Sequence, residues 1–160
     1  MFDFQKCTVE QYRDIAIKLT KHFLEELGAT VSKATSSSID LLANMPKGET
    51  LGVMVQSDRF TKGEITKIFE QEDQDVLLNV STKMKVIPAV AFVEVNAKEP
   101  GIVKMIISKL DVLTSIAKEG KAIWLKASPD GALLFHCDNS QECIKTIKAT
   151  KGIWYHSFAL

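Results

Sequence analysis

From Thr8 to Leu27 the apolar residues Val9, Tyr12, Ile15, Ala16, Leu19, Phe23, Leu24 and Leu27 recur at three- and four-residue steps, the period of one helix face. Thr8 is placed to cap that helix and Gly28 to end it, because a side-chain oxygen satisfies a free first-turn N–H and glycine tolerates the left-handed conformation. Three extended segments are predicted next, at 29–34, 39–45 and 51–57, the last two joined by the turn Pro46-Lys47-Gly48. They form an antiparallel meander packed on the helix. A polar helix is predicted over about 62–72, before VIPAVAFVEV at 86–95. That run is apolar on both faces, as a buried central strand must be. Residues 99–118 read as a second long helix with Ile102, Met105, Ile106, Leu110, Leu113 and Ile116 inward, ended by Gly120.

Two further strands, KAIWLKAS and GALLFHC, flank Ser128-Pro129-Asp130-Gly131, a strong hairpin turn. Residues 138–140 can cap a last helix over about 141–150, and the closing GIWYHSFAL is apolar enough to add a strand or pack on the core. The pattern predicts an α/β chain of the α+β kind: one domain over 1–160, a mixed central sheet flanked by helices, with elements beginning in the order αβββαβ. No repeat, low-complexity linker or compositional shift marks a boundary.

Composition removes several functional classes. Lys+Arg and Asp+Glu balance at 20 each, so no global basic field draws the chain to nucleic acid, and contact with DNA would need a local patch or an oligomer. Cys7, Cys137 and Cys143 are odd in number and lack CxxC spacing, which fits a reducing compartment and argues against a zinc site or disulfide framework. The N-terminus lacks a basic segment followed by an apolar core, and no run approaches a membrane span. A soluble, cytoplasmic protein is expected.

Candidate chemistry concentrates in SSSIDLLANMPKGETLGVMVQSDR at 36–59. Asp40 stands on one strand, Gln56 and Asp58 on the next, and neighbouring strands that each carry a polar group are how metal-dependent nucleases build a site. The helix ending in Leu27-Gly28, the IDLLA run at 39–43, and Val55-Gln56 followed by Phe60 resemble the PD-(D/E)xK nuclease superfamily, and within it the Mrr-type restriction endonucleases. The likeness covers about the first 60 residues. It implies a restriction-endonuclease-like core, DNA as partner, and Mg2+ or Mn2+ as cofactor, an ion that holds a water and a phosphate oxygen together. Asp40 then matches the metal-binding aspartate and Gln56 the neutral ligand that Mrr-like members carry. Asp58 stands where the family has its catalytic lysine, giving a possible metal set of Asp40, Gln56 and Asp58. Lys62 or Lys67, on the predicted polar helix, could supply the missing ammonium.

Each of these residues also has a plain structural use. An aspartate at a strand end satisfies backbone donors in a turn, Gln56 and Asp58 could be the solvent end of an edge strand, and lysines on a helix face are ordinarily solvated. Glu10 and Asp14 fall at no convincing turn for a further ligand. His22, His136 and His156 have no ligand spacing, and no phosphate-binding glycine motif is present. Trp124, Trp154, Tyr155 and Phe158 lie near Lys121, Lys126 and Lys151, an arrangement that could stack bases or could simply be sheet core and rim. Two functions remain. One is a nuclease-fold protein, related to DNA-cleaving restriction and repair enzymes and weakly active or inactive, in nucleic-acid metabolism or defence. The other is a non-enzymatic, homodimeric interaction module on the same scaffold.

Overall fold

The computed structural model describes residues 6–34, 36, 38–60, 65–96, 101–137 and 140–159, with the backbone alone described at 58–60, 65–66, 95–96 and 137. Helix α1, Val9–Glu26, starts with Thr8 in a capping box, its hydroxyl accepting from the Gln11 N–H and its own N–H bonding the Gln11 side chain. Strands β1 (Thr30–Lys33), β2 (Leu41–Asn44) and β3 (Thr50–Phe60) follow as the expected antiparallel meander. Strand β5, Ile87–Asn96, lies beside β3 in parallel and beside β6 in antiparallel pairing, with residues 89–93 buried. This is the central strand that its unbroken apolar run implied.

Two expectations need correcting. The segment predicted as a helix over 62–72 instead holds strand β4, Ile65–Phe69, and helix α2 begins only at Gln71 and runs to Met84. ITKIF is rich in β-branched and aromatic residues, and Ile68 is half exposed while Phe69 is buried, the two-residue alternation of a strand. Lys67 is therefore on β4, and Lys62 lies outside the described residues. The segment predicted as a helix over 99–118 divides into strand β6, Ile102–Lys109, and helix α3, Leu110–Glu119, which Gly120 ends in the left-handed conformation. Val103, Met105, Ile106 and Ile107 are buried to both sides of the sheet. An apolar run of that length satisfies a helical count by chance, and its β-branched residues favour the strand.

The hairpin β7 (Leu125–Ala127) and β8 (Leu133–Cys137), helix α4 (Gln141–Ala149, capped by Ser140) and strand β9 (Ile153–Ala159) complete the chain near the expected positions. At the β7–β8 turn the Ser128 hydroxyl bonds the Asp130 carboxylate and, with the Ala132 N–H, holds its pKa below the ordinary value. The large sheet is mixed, in the order β1-β2-β3-β5-β6-β9, and a second sheet has the order β4-β8-β7. The fold is thus α+β, a mixed central sheet with helices on both faces. Among the described residues no helix is long and apolar enough to cross a membrane.

Strand alternation sorts the core into two layers. Leu51, Val53, Val55, Ala89, Ala91 and Val93 face α1, where Tyr12, Ala16, Phe23 and Leu24 meet them. The intervening Met54, Val90 and Phe92 face Leu77 of α2, Leu110 and Leu113 of α3, Ile147 of α4, and the small sheet through Phe69, Leu133 and Phe135. Alanines at 16, 43, 89 and 91 let α1 lie close on its face. On the other face Gly52 makes room, since a Cβ there would sit 2.7 Å from Val86 Cγ2 and 2.9 Å from Ile39 Cδ1. Because Val86 is stiff at χ1, Gly52→Ala should lower unfolding free energy by about 1–3 kcal/mol through overpacking. Urea denaturation measures it, and an unchanged midpoint would show that this face has slack.

Candidate functional site

Strand β2 pairs with β3 only from Leu41 opposite Val53 to Asn44 opposite Thr50, whereas β3 continues to Phe60 against β5. Past Val53, the outer backbone groups of β3 need partners from elsewhere, because a buried N–H or C=O left unpaired costs about as much as a lost hydrogen bond. Val55 finds them in two side chains. Its N–H donates to Asp40 Oδ2 at 2.7 Å, and its C=O accepts from Arg13 Nη1 at 2.8 Å. Arg13 Nη2 closes the ring by donating to Asp40 Oδ1 at 2.6 Å.

The surrounding sequence dictates this placement. Asp40 is held by its backbone on both sides, its N–H bonding Val53 O at 2.9 Å and its C=O accepting from the Ala34 N–H at 3.1 Å. Ile39 turns into the α2/α3 core and Leu41 into the α1 core, so regular alternation breaks at Asp40 and its side chain runs along the strand edge to Val55. Arg13 follows the buried Tyr12 on α1 and reaches the same edge from the flank of the apolar stripe. The carboxylate is 13% exposed and the guanidinium 41%. The ion pair is thus sheltered at one end and hydrated at the other.

Of the remaining predicted site residues, Gln56 takes no part in this ring. Gln56 is half-buried, and alternation puts it on the face of Met54 and Phe92, its partner in register, opposite the face of Val53 and Val55 on which α1 lies. Asp58 is in register with Glu94 of β5, and Glu94 with Lys104 of β6; the Asp58 side chain and all of Lys62 lie outside what is described. A divalent ion of the magnesium type needs several oxygen ligands. Both Asp40 oxygens are already engaged, one by a cation, and among the described residues no group of three or more His, Cys, Asp or Glu could hold a metal ion. The described residues therefore do not fit a magnesium or manganese centre at Asp40.

Two further polar groups sit in built environments that local spacing does not announce. Arg13 was overshadowed by the acidic residues beside it on α1, although an arginine flanking a buried stripe commonly reaches a neighbouring strand end. Glu94 is the sole charged residue of β5 and is 9% exposed, which is signal enough that it has a built environment. It lines, with Lys104, Trp124 and Tyr155, a cavity of about 20 Å³, room for one water and not for a nucleotide.

No protein-family model and no curated protein matches this chain. Among solved structures, it matches Hjc, a Holliday junction resolvase from the archaeal hyperthermophile Archaeoglobus fulgidus, at 11% identity and a TM-score of 0.48, over 74% of this chain and 85% of that one.

Asp40→Ala should lower unfolding free energy by about 1.5–3 kcal/mol, since it strands the Val55 N–H and leaves Arg13 without its anion. Asp40→Asn, which keeps an acceptor for that N–H, should lose less, and Arg13→Met less than Asp40→Ala because Asp40 then still accepts from the Val55 N–H and the arginine side chain is partly hydrated. Chemical denaturation ranks the three. A neutral Asp40→Ala would mean that the ring is not the carboxylate's main use.

Proposed function

We propose that this chain is a nuclease-fold protein of nucleic-acid metabolism or defence that contacts DNA and in which strand cleavage is weak or lost. The reading rests on the resemblance of about the first 60 residues to the PD-(D/E)xK pattern, together with one observation that supports the loss of activity: the Arg13 guanidinium sits on Asp40. A bound cation on that carboxylate repels a second, divalent one. Where the family has a lysine to orient water and offset phosphate charge, Asp58 brings negative charge instead. Both changes act in one direction, away from metal-assisted attack on a phosphodiester.

Without the lysine, and with Asp40 committed to Arg13, several kcal/mol of transition-state stabilisation of the usual kind are missing. Purified protein with magnesium or manganese should therefore cleave duplex DNA at or near background, while an electrophoretic mobility assay without metal still detects binding. Robust cleavage by the wild type that disappears in Asp40→Asn, with its far-ultraviolet circular dichroism unchanged, would overturn the proposal. Absence of any DNA binding would remove DNA as the partner.

A further inference from the structure

At the opposite end of β3, three turns converge: the β2–β3 turn at Pro46 to Glu49, the β6–α3 junction at Lys109, and the α4–β9 turn at Lys151 and Gly152. Between them lies a cavity of about 460 Å³, within the range of small-molecule sites. Half-buried Leu27, Met45, Val112 and Trp154 line it, and exposed Lys47 and Lys151 stand at its mouth.

Its electrostatics are uneven. The lining carries Lys47, Lys109 and Lys151 against Glu49, three positive charges and one negative, for a net of +2 in a chain whose total is zero. Glu49 is paired with Lys109, whose Nζ is 2.5 Å from Glu49 Oε2. Lys47 and Lys151 have no carboxylate partner among the described residues. The excess charge is thus held by two flexible ammonium groups beside an indole. A phosphate monoester carries about −1.5 to −2 at neutral pH, which matches that excess. A flat base meets the apolar wall and can stack on the indole, a contact worth about 1–3 kcal/mol per base.

We infer that this cavity is a nucleotide site, with the base against Trp154 and the phosphate between Lys47 and Lys151. The ligand is either a free mononucleotide or the phosphorylated end of a single strand, which present the same chemistry. The site shares no residue with the Arg13–Asp40 ring and needs no metal, so it stands or falls independently of the cleavage reading.

Adenosine 5′-monophosphate, added without metal at low ionic strength, is the probe. Trp154 lines the cavity and Trp124 is buried elsewhere, so binding should quench fluorescence in the wild type and not in Trp154→Phe. The expected dissociation constant is below about 1 mM, with adenosine and inorganic phosphate each at least about tenfold weaker. Lys47→Glu with Lys151→Glu should weaken the nucleotide by at least about tenfold while leaving far-ultraviolet circular dichroism unchanged, since both side chains are exposed. A short 5′-phosphorylated oligoadenylate identifies the source: tighter, lysine-dependent binding than the mononucleotide assigns a strand end, and weaker binding assigns the free nucleotide. Absence of saturable quenching, equal affinity in the double variant, or phosphate binding as tightly as the nucleotide would each overturn the inference.

Discussion

The parallel pairing of β3 with β5 is the constraint from which the rest of the architecture follows. Antiparallel neighbours can be joined by a tight turn, but two parallel strands force the chain to travel back along the sheet before it can enter the second. Here the return path contains β4 and α2, and β4 cannot stay unpaired over an apolar surface. It recruits β8, which brings β7, and the small sheet they form covers Phe92 and Met54 on one face of the large sheet. Helix α1, which precedes the first strand in the chain, covers the other face through its alanine-lined contact. One strand direction thereby decides which residues become core and which are left at the sheet ends for chemistry.

At one such end the length mismatch between β2 and β3 creates a local demand that Asp40 and Arg13 meet. Two polar side chains complete the hydrogen bonding of a single residue, Val55, and neutralise each other in doing so. The same geometry explains why an acidic residue at this position is compatible with two very different histories. A carboxylate anchored beside the edge of β3 can hold an ion when its outer oxygen faces water. With a guanidinium on that oxygen it becomes a structural clasp. The difference lies in one residue of α1, 27 positions before the carboxylate.

Much of the fold was legible because its signals are local. The Thr8 cap, the Ser128 to Gly131 hairpin and the two-sided apolar run of β5 each depend on a few adjacent residues, and each appears where the pattern put it. The failures share a different cause. In 99–118 a strand passes directly into a helix with no intervening loop, since Lys109 both ends β6 and precedes α3, so one apolar count spans two elements. In 62–72 the strand is defined by its pairing with β8, nearly seventy residues away in sequence, and no local rule supplies that partner. The site was legible only in part for the same reason. Asp40 was singled out from its strand position, but its ion partner sits 27 residues earlier, and the opposite facing of Gln56 depends on a break in alternation at Asp40 that the residues around it do not announce.

The absence of net charge, read from composition as a reason to expect only local attraction for anions, becomes informative once pairs are placed. With 20 charges of each sign, a local positive excess arises where lysines outnumber the carboxylates that pair with them. That is the situation at the mouth formed by Lys47 and Lys151, where Glu49 is withdrawn by Lys109. It is the reverse of the situation at Asp40, where a carboxylate withdraws the nearest arginine. At the lysine end two ammonium groups stand without a carboxylate partner among the described residues, whereas at Asp40 the carboxylate and the guanidinium satisfy each other.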